Sequence, residues 1–289
     1  MPTICIVTDS SAHFASNHFL TQNPLVTVVP NRLHLAGRVY REGQDISVED
    51  AFRLVHPQPE PILHPAPECE YVELYTRLIR QCDGIISIHA SRDLIGSYQT
   101  ALQASRQFSF PIAVINSQNI CIGQGMLVKV ALKAIQQGRS FEDIVRLVRG
   151  AVERVYSLYY VETVQQLQHS RLLAPSHAVL SVMLSVKPFL SLENGQLNLV
   201  EKVKTRAQAV DRLIEFATEF DALEEAVILQ HKTYTSEQTR SLQDRLATDF
   251  PGQHFSYTMY SVSLAALIGT DATGIVVLEK EMEDFEDEL

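Results

Sequence analysis

The chain lacks most of the features that commit a protein to a membrane, a metal or a nucleic acid. No apolar run approaches the roughly 18–20 residues that span a bilayer. The opening MPTICIVTDSS has no basic segment, apolar stretch or small-residue cleavage site of a secretory signal. Positive charge is scarce, with 24 Lys+Arg against 34 Asp+Glu and a formal net charge of −10. Nucleic-acid binding is therefore not expected, because phosphate recognition needs a basic face. Part of the acidity sits in Glu279–Leu289, which reads as a solvated end. Cys5, Cys69, Cys82 and Cys121 form no CxxC pair and no metal-ligand spacing. Cys5 and Cys121 sit among apolar or small residues, so reduced core thiols and a cytoplasmic address are expected. The ten histidines are scattered without an HExxH, and no metal is expected. There is no P-loop, no GxSxG elbow and no GxGxxG; Gly123-Gln124-Gly125 is not a dinucleotide fingerprint. No catalytic residue is assigned from these residues.

What is present is an alternation of strands and helices. The 289 residues suit two domains or one large one, with ample length for a core. Ile4–Val7 is a β-branched run ending at Thr8-Asp9-Ser10-Ser11, where Asp9 reads as a helix cap. Leu25–Pro30 and Arg38–Gly43 follow as strands, and Asp45–Val55 as a capped helix. His56–Pro67 is proline-rich and predicts an extended surface segment, neither helix nor central strand. Helices are predicted over Glu70–Gln81, Ser97–Gln107, Met126–Gln137 and from the Ser140 cap to about Arg154. Gly84–His89 and Ile112–Ile115 are buried strands of the parallel-sheet kind. The pattern predicts an α/β fold, with helices on the faces of a parallel sheet.

Near residue 155 the texture changes. Ser157–Thr163 alternates like a strand, His177–Leu184 is a short helix, and Asn194-Gly195 separates Pro188–Leu192 from Gln196–Val203 as a hairpin. Helices over Arg206–Phe220 and Ser236–Asp249 and strands over Ala226–Gln230, Phe255–Ser261 and Gly274–Glu279 complete the chain. The domains are drawn as 1–155 and 156–289, the first with a parallel sheet and the second with a mixed one.

Three turns share one physical form: Thr8–Ser11, Ser91–Ser97 (SRDLIGS) and Asn116–Gly125 (NSQNICIGQG). Each puts small hydroxyls or glycines at the carboxyl end of a strand, just before a helix. In an open parallel sheet these ends gather along one edge, where ligands sit. Backbone N–H groups there suit a carboxylate or phosphate. Each turn taken alone reads better as a helix cap and a tight bend; the three on one edge together point to a ligand crevice. Ser97, His89 and Asp93 can be grouped as a triad, but without an elbow to present the serine.

The order of these pieces resembles the DegV family of bacterial fatty-acid-binding proteins. IVTDSS is similar to the family's opening. SRDLIGSYQTALQA resembles its S-x-x-L-S-G-T-Y-Q-x-A turn and helix, and INSQNICIGQG its I-D-S-x-x-x-S-x-G-x-G stretch. VKPFLSLENGQLNLVEKVKTRAQAVDRL resembles the segment that opens the family's second domain. The resemblance implies two α/β domains with a long-chain fatty acid between them. It also implies a carboxylate bound by hydroxyls of the first domain, and a kinase partner in some members, the chain itself being a binding protein rather than an enzyme. The implied ligand-binding set is Ser10, Ser11, His64, Ser91, Ile95, Gly96, Ser97, Ser117, Gly123, Gly125, Arg171 and Leu267. The implied tunnel for the tail is lined from His177–Leu184 and the strand around Phe189.

The head-group positions depart from the family pattern. Where the family has T-S-Q-P-S, this chain has Leu63–Pro67 (LHPAP) to within one position, so the Thr and Ser become Leu63 and His64 or His64 and Pro65, and His64 faces either solvent or ligand. The serine of L-S-G-T is Ile95, with Ser97 in place of the threonine. The late H-x-G-P-G turn becomes Leu267–Asp271, and R-G-G-R becomes Gln168–Arg171, keeping only Arg171. Burying a carboxylate without such partners is costly. Two rivals stay open: a phosphotransfer enzyme related to dihydroxyacetone kinase, with His64 or His89 holding the substrate, and an interaction module without a ligand.

Overall fold

A computed structural model describes residues 3–16, 18–55, 62–163, 167 and 187–281. In chain order the elements begin β1 (Ile4–Asp9), α1 (Phe19–Gln22), β2 (Val26–Val29), β3 (Arg32–Leu35), β4 (Arg38–Arg41) and α2 (Val48–Val55). Next come β5 (Ile62–His64), α3 (Glu68–Leu78), β6 (Gly84–His89), α4 (Ser97–Ser105), β7 (Ile112–Asn116), α5 (Ile122–Gln136) and α6 (Phe141–Val152). The second half holds β8 (Val155–Val161), β9 (Lys187–Glu193), β10 (Gln196–Val203), α7 (Arg206–Thr218) and β11 (Leu223–Gln230). It closes with α8 (Glu237–Asp249), β12 (Ser256–Met259), α9 (Val262–Ile268) and β13 (Ala272–Glu279).

Four strands make a parallel sheet in the order β2-β1-β6-β7. All six residues of β1 and of β6 are buried, as a strand covered on both faces requires. Their side chains alternate: Ile4, Ile6, Ile86 and Ile88 face one cluster, Cys5, Val7 and Ile85 the other. α3 and α4 cover the second face through Tyr71, Leu74, Tyr75, Ala101 and Ala104. α5 covers the first and is buried on nearly every side, because its far side packs against a second sheet.

That second sheet has six strands, in the order β10-β9-β8-β13-β11-β12, and is mixed. Tyr159, Val161, Leu190 and Val276 face α5, while Leu158, Tyr160, Phe189 and Ile275 face α7 and α8. One apolar cluster therefore runs from the first sheet through α5 into the second. A small antiparallel sheet, β4-β3-β5, packs Leu33 and Leu35 in one cluster with Ile46, Ala51 of α2 and Val262 of α9.

Several elements differ from the sequence reading. Arg32–Leu35 is a strand, although its charged alternation is only four residues long. Val262–Ile268 is a helix capped by Ser261, which reads by sequence as the end of a strand. α5 starts at Ile122 rather than Met126, because its first turn contains the two glycines that look like a loop. The predicted helix His177–Leu184, the prolines at 57, 59 and 61, and the acidic residues 282–289 lie outside the described residues. Ile62–His64 is an edge strand, which suits a proline-flanked segment.

Candidate functional site

The three hydroxyl-rich turns meet at the carboxyl edge of the four-stranded sheet, because β1, β6 and β7 are neighbours and parallel. Backbone bonds join them: Cys121 N–H donates to Ser11 O (3.0 Å), His13 N–H to Cys121 O (3.0 Å), and Ser91 N–H to Asn119 O (2.8 Å). Gly125 must be glycine for this docking, since a Cβ there would stand 2.0 Å from the carbonyl oxygen of His13. A Cβ on Gly123 would stand 2.5 Å from Asn119 Oδ1.

Beneath the turns lies a buried polar network centred on Asp9. Its Oδ2 accepts from the Ala90 N–H (3.1 Å) and Gln124 Nε2 (3.2 Å) and meets His89 Nδ1 at 2.9 Å. Its Oδ1 accepts from the Ser11 N–H (3.1 Å) and Asn31 Nδ2 (3.0 Å), and Ser11 Oγ also bonds to it. Burial alone would raise the Asp9 pKa, but hydrogen bonds and attraction from His89, with Ser11 and Ala90, hold it below its ordinary value. His89 Nε2 meets Ser87 Oγ at 2.7 Å, and Ser87 Oγ meets the Tyr75 hydroxyl at 2.8 Å. Ser87, His89 and Asp9 thus stand in the order nucleophile, base, orienter. All three have no exposed surface, so the row braces the sheet edge and presents no nucleophile.

A second buried carboxyl, Glu42, sits just after β4. It accepts from Ser10 Oγ (2.7 Å), from the Ser263 N–H (2.8 Å) and from Ser263 Oγ (2.6 Å). Burial pushes its pKa up to about 7, against the lowering effect of those donors. Glu42 thereby ties the small sheet, the turn after β1 and the start of α9 together. Asn31 joins the two networks: its N–H donates to Ser10 Oγ (2.9 Å), its Nδ2 to Asp9, and its Oδ1 accepts from Ser97 Oγ (2.9 Å).

The residues singled out by sequence divide into three groups. Ser10, Ser11 and Ser97 are brought together around Asp9 and Asn31, with Gly96 beside Ser97 and Pro65. Ser91 and Ser117 bond to backbone: Ser91 Oγ donates to Gly195 O (2.5 Å), Ser117 Oγ to Asn119 O (3.0 Å). Ile95, Leu63 and Leu267 belong to the apolar cluster that links the sheets. His64 is exposed and pairs edge-on with His34 at 4.9 Å on the outer face of the small sheet, away from the buried networks. Phe189 is wholly buried against Tyr160 on the α7 side. Arg171 lies outside the described residues. Asn31, Glu42, Gln124 and Ser263 were not legible, because their partners lie far away in the chain and no local pattern marks them. The acidic residue before Gly43 is the one visible trace of Glu42. No group of three or more metal-ligating side chains occurs among the described residues, and no helix there is long and apolar enough to cross a membrane.

The family model for DegV, described as uncharacterised proteins, matches residues 3–280. A DegV domain-containing protein of Caldanaerobacter subterraneus is 28% identical over 283 residues, covering 97% of this chain and 100% of its own. The Bacillus subtilis protein DegV is 26% identical over 280 residues, covering 94% and 98%. The solved structure of a fatty acid binding DegV family protein from Streptococcus agalactiae superposes with a TM-score of 0.86 at 20% identity, over 97% of this chain and 100% of that one. That of DegV from Bacillus subtilis, described as a fatty acid binding protein, gives 0.84 at 24% identity, with coverage of 97% and 100%. The two-sheet α/β architecture is the same as theirs.

Proposed function

The chain belongs to the DegV family, and on that premise we propose that it binds a long-chain fatty acid or a related lipid without chemically altering it. The ligand is placed at the carboxyl edge of the parallel sheet, between units of residues 1–155 and 156–289. The observation that carries the reading is the convergence of Leu63, Ile95 and Leu267 on one apolar cluster that runs from one sheet to the other. An acyl chain buried among apolar side chains gains on the order of 0.8 kcal/mol per CH₂. The polar side of the site is Ser10 and Ser97, which converge on Asn31, with Gly96 allowing close backbone approach. Arg171 completes the set that the family resemblance implies.

Those apolar residues stand where the family pattern has hydroxyls and a histidine, so a lipid with a neutral or bulkier head group binds more tightly than a free fatty acid. A kinase acting on the bound lipid rests on the family resemblance alone. The reading is tested by titrating the delipidated protein with a fluorescent long-chain fatty acid and displacing it with palmitate or with a monoacylglycerol. Saturable binding, displaced better by the monoacylglycerol, is expected. Failure of every long-chain lipid to displace the probe would remove the proposal.

A further inference from the structure

On the β2 side of Glu42, a crevice of about 360 Å³ opens between the turn after β1, α2 and the start of α9. None of Leu63, Ile95 and Leu267 lines it, and Ser97 does not either; it shares Ser10 with the polar side of the lipid site proposed above. Its hydrocarbon walls are Phe14, Leu20, Val28 and Val48, and Phe14 is backed by Phe19 in a stacked pair at 4.1 Å. Glu42, Ser10 and His13 supply polar lining, and among the described residues the lining contains neither lysine nor arginine.

The charge around the crevice has one sign. Glu42 is the acidic residue among the described residues of its lining, Asp9 acts on Glu42 through space, and Glu49 acts on His13. Burial pushes the His13 pKa down to about 4, so the ring is neutral at pH 7 and contributes no positive charge. Burial raises the Cys121 thiol, also near Glu42, to about 11, which keeps it neutral too. An ionised carboxylate offers about four acceptor directions. Among the described residues Glu42 receives three hydrogens, from the Ser10 hydroxyl, the Ser263 N–H and the Ser263 hydroxyl. One acceptor direction is left over.

We propose that this crevice is a binding site for a small primary ammonium ion with an apolar body. Glu42 is its counter-ion, and Phe14, Leu20, Val28 and Val48 enclose the hydrocarbon. An ammonium group brings both a hydrogen for the remaining acceptor direction and the charge that Glu42 and Asp9 attract. A carboxylate of the same size is repelled by both. Binding favours ionised Glu42, so it releases a proton wherever Glu42 is still partly protonated.

The test is calorimetric titration of the full chain with n-hexylammonium, n-hexanol and hexanoate, which share one tail and differ in head group. Hexylammonium should bind once per chain and hexanoate should give no binding. With Glu42 at about 7, affinity for hexylammonium should rise about tenfold from pH 6 to pH 8, following the ionised fraction. Glu42→Gln should weaken binding at least tenfold and remove the pH dependence. Because that change also touches Ser10 and Ser263, Val48→Trp serves as a second variant: it fills the crevice from α2 and should abolish binding in a protein that still melts cooperatively. Hexanoate binding as tightly as hexylammonium, or Val48→Trp binding like wild type, would overturn the site. The six-carbon probes do not report on long-chain lipid, so either result leaves the lipid reading to its own titration.

Discussion

The carboxylate of Asp9 and the imidazole of His89, 80 residues apart in the chain, meet at 2.9 Å where the parallel sheet ends. Neither has any exposed surface, and every turn of the carboxyl edge is hung from this pair or from the residues it orders. An amide nitrogen in place of one Asp9 oxygen turns a donor either toward His89 and the Ala90 N–H, which bond to Oδ2, or toward Asn31 and the Ser11 N–H, which bond to Oδ1.

Asp9→Asn should therefore destabilise the fold by about 3–5 kcal/mol at pH 7, the usual cost of breaking a buried pair. The Asp9 pKa lies below its unfolded value of about 3.9. Its contribution is thus fully present above pH 4 and disappears as pH falls through the lower, folded value. Urea unfolding at pH 7, 5 and 3 checks this: the gap between wild type and variant should close toward pH 3. A gap that stays constant would separate the pair from acid stability.

Glu42 works in the opposite direction. Burial raises its pKa from 4.5 to about 7, so the folded state holds a proton that the unfolded chain has released across that window. Stability falls as pH rises from about 4.5 to 7, by up to about 3 kcal/mol, and then levels off. Chemical denaturation of wild type and Glu42→Gln at pH 5, 6, 7 and 8 should show this slope in the wild type alone. Parallel curves would mean that Ser10 and Ser263 compensate the buried charge completely.

Much of this arrangement was legible in the sequence. Gly84–His89 is a strand over the predicted residues, Ser140 caps α6 through the Asp143 N–H, and Asn194-Gly195 turns the β9–β10 hairpin with positive φ at both residues. The three turns were visible because small hydroxyls and glycines follow strongly apolar strands. What they bond to was not visible. Ser10 finds Glu42 at a separation of 32 residues, Ser263 finds the same carboxyl at 221, and Gln124 finds Asp9 at 115. Periodicity reports which face of an element is apolar and says nothing about partners at such distances. α9 escaped for a related reason: VSLAALI is too short and too uniformly apolar to separate a buried helix from a strand.

The apolar head-group positions carry a prediction of their own. Ile95 is 4% exposed, and Leu267 packs on the same cluster. Replacing both with the residues of the family pattern, Ile95→Ser and Leu267→His, supplies two hydrogen bonds to a carboxylate, each worth about 1.5–3 kcal/mol. Palmitate affinity should rise at least tenfold in the double variant, read by titration beside wild type. The same change should lower stability by a few kcal/mol, because an apolar contact is lost from the core. Equal palmitate affinities would place the carboxylate elsewhere on the sheet edge.

Lipid binding itself is tested most directly by native mass spectrometry of the protein purified from a lipid-replete host. The account predicts a mass in excess of the polypeptide by one long-chain lipid, lost after organic extraction and identifiable in the extract. A clean polypeptide mass, from a protein that also takes up no long-chain fatty acid or monoacylglycerol when one is added, would contradict it.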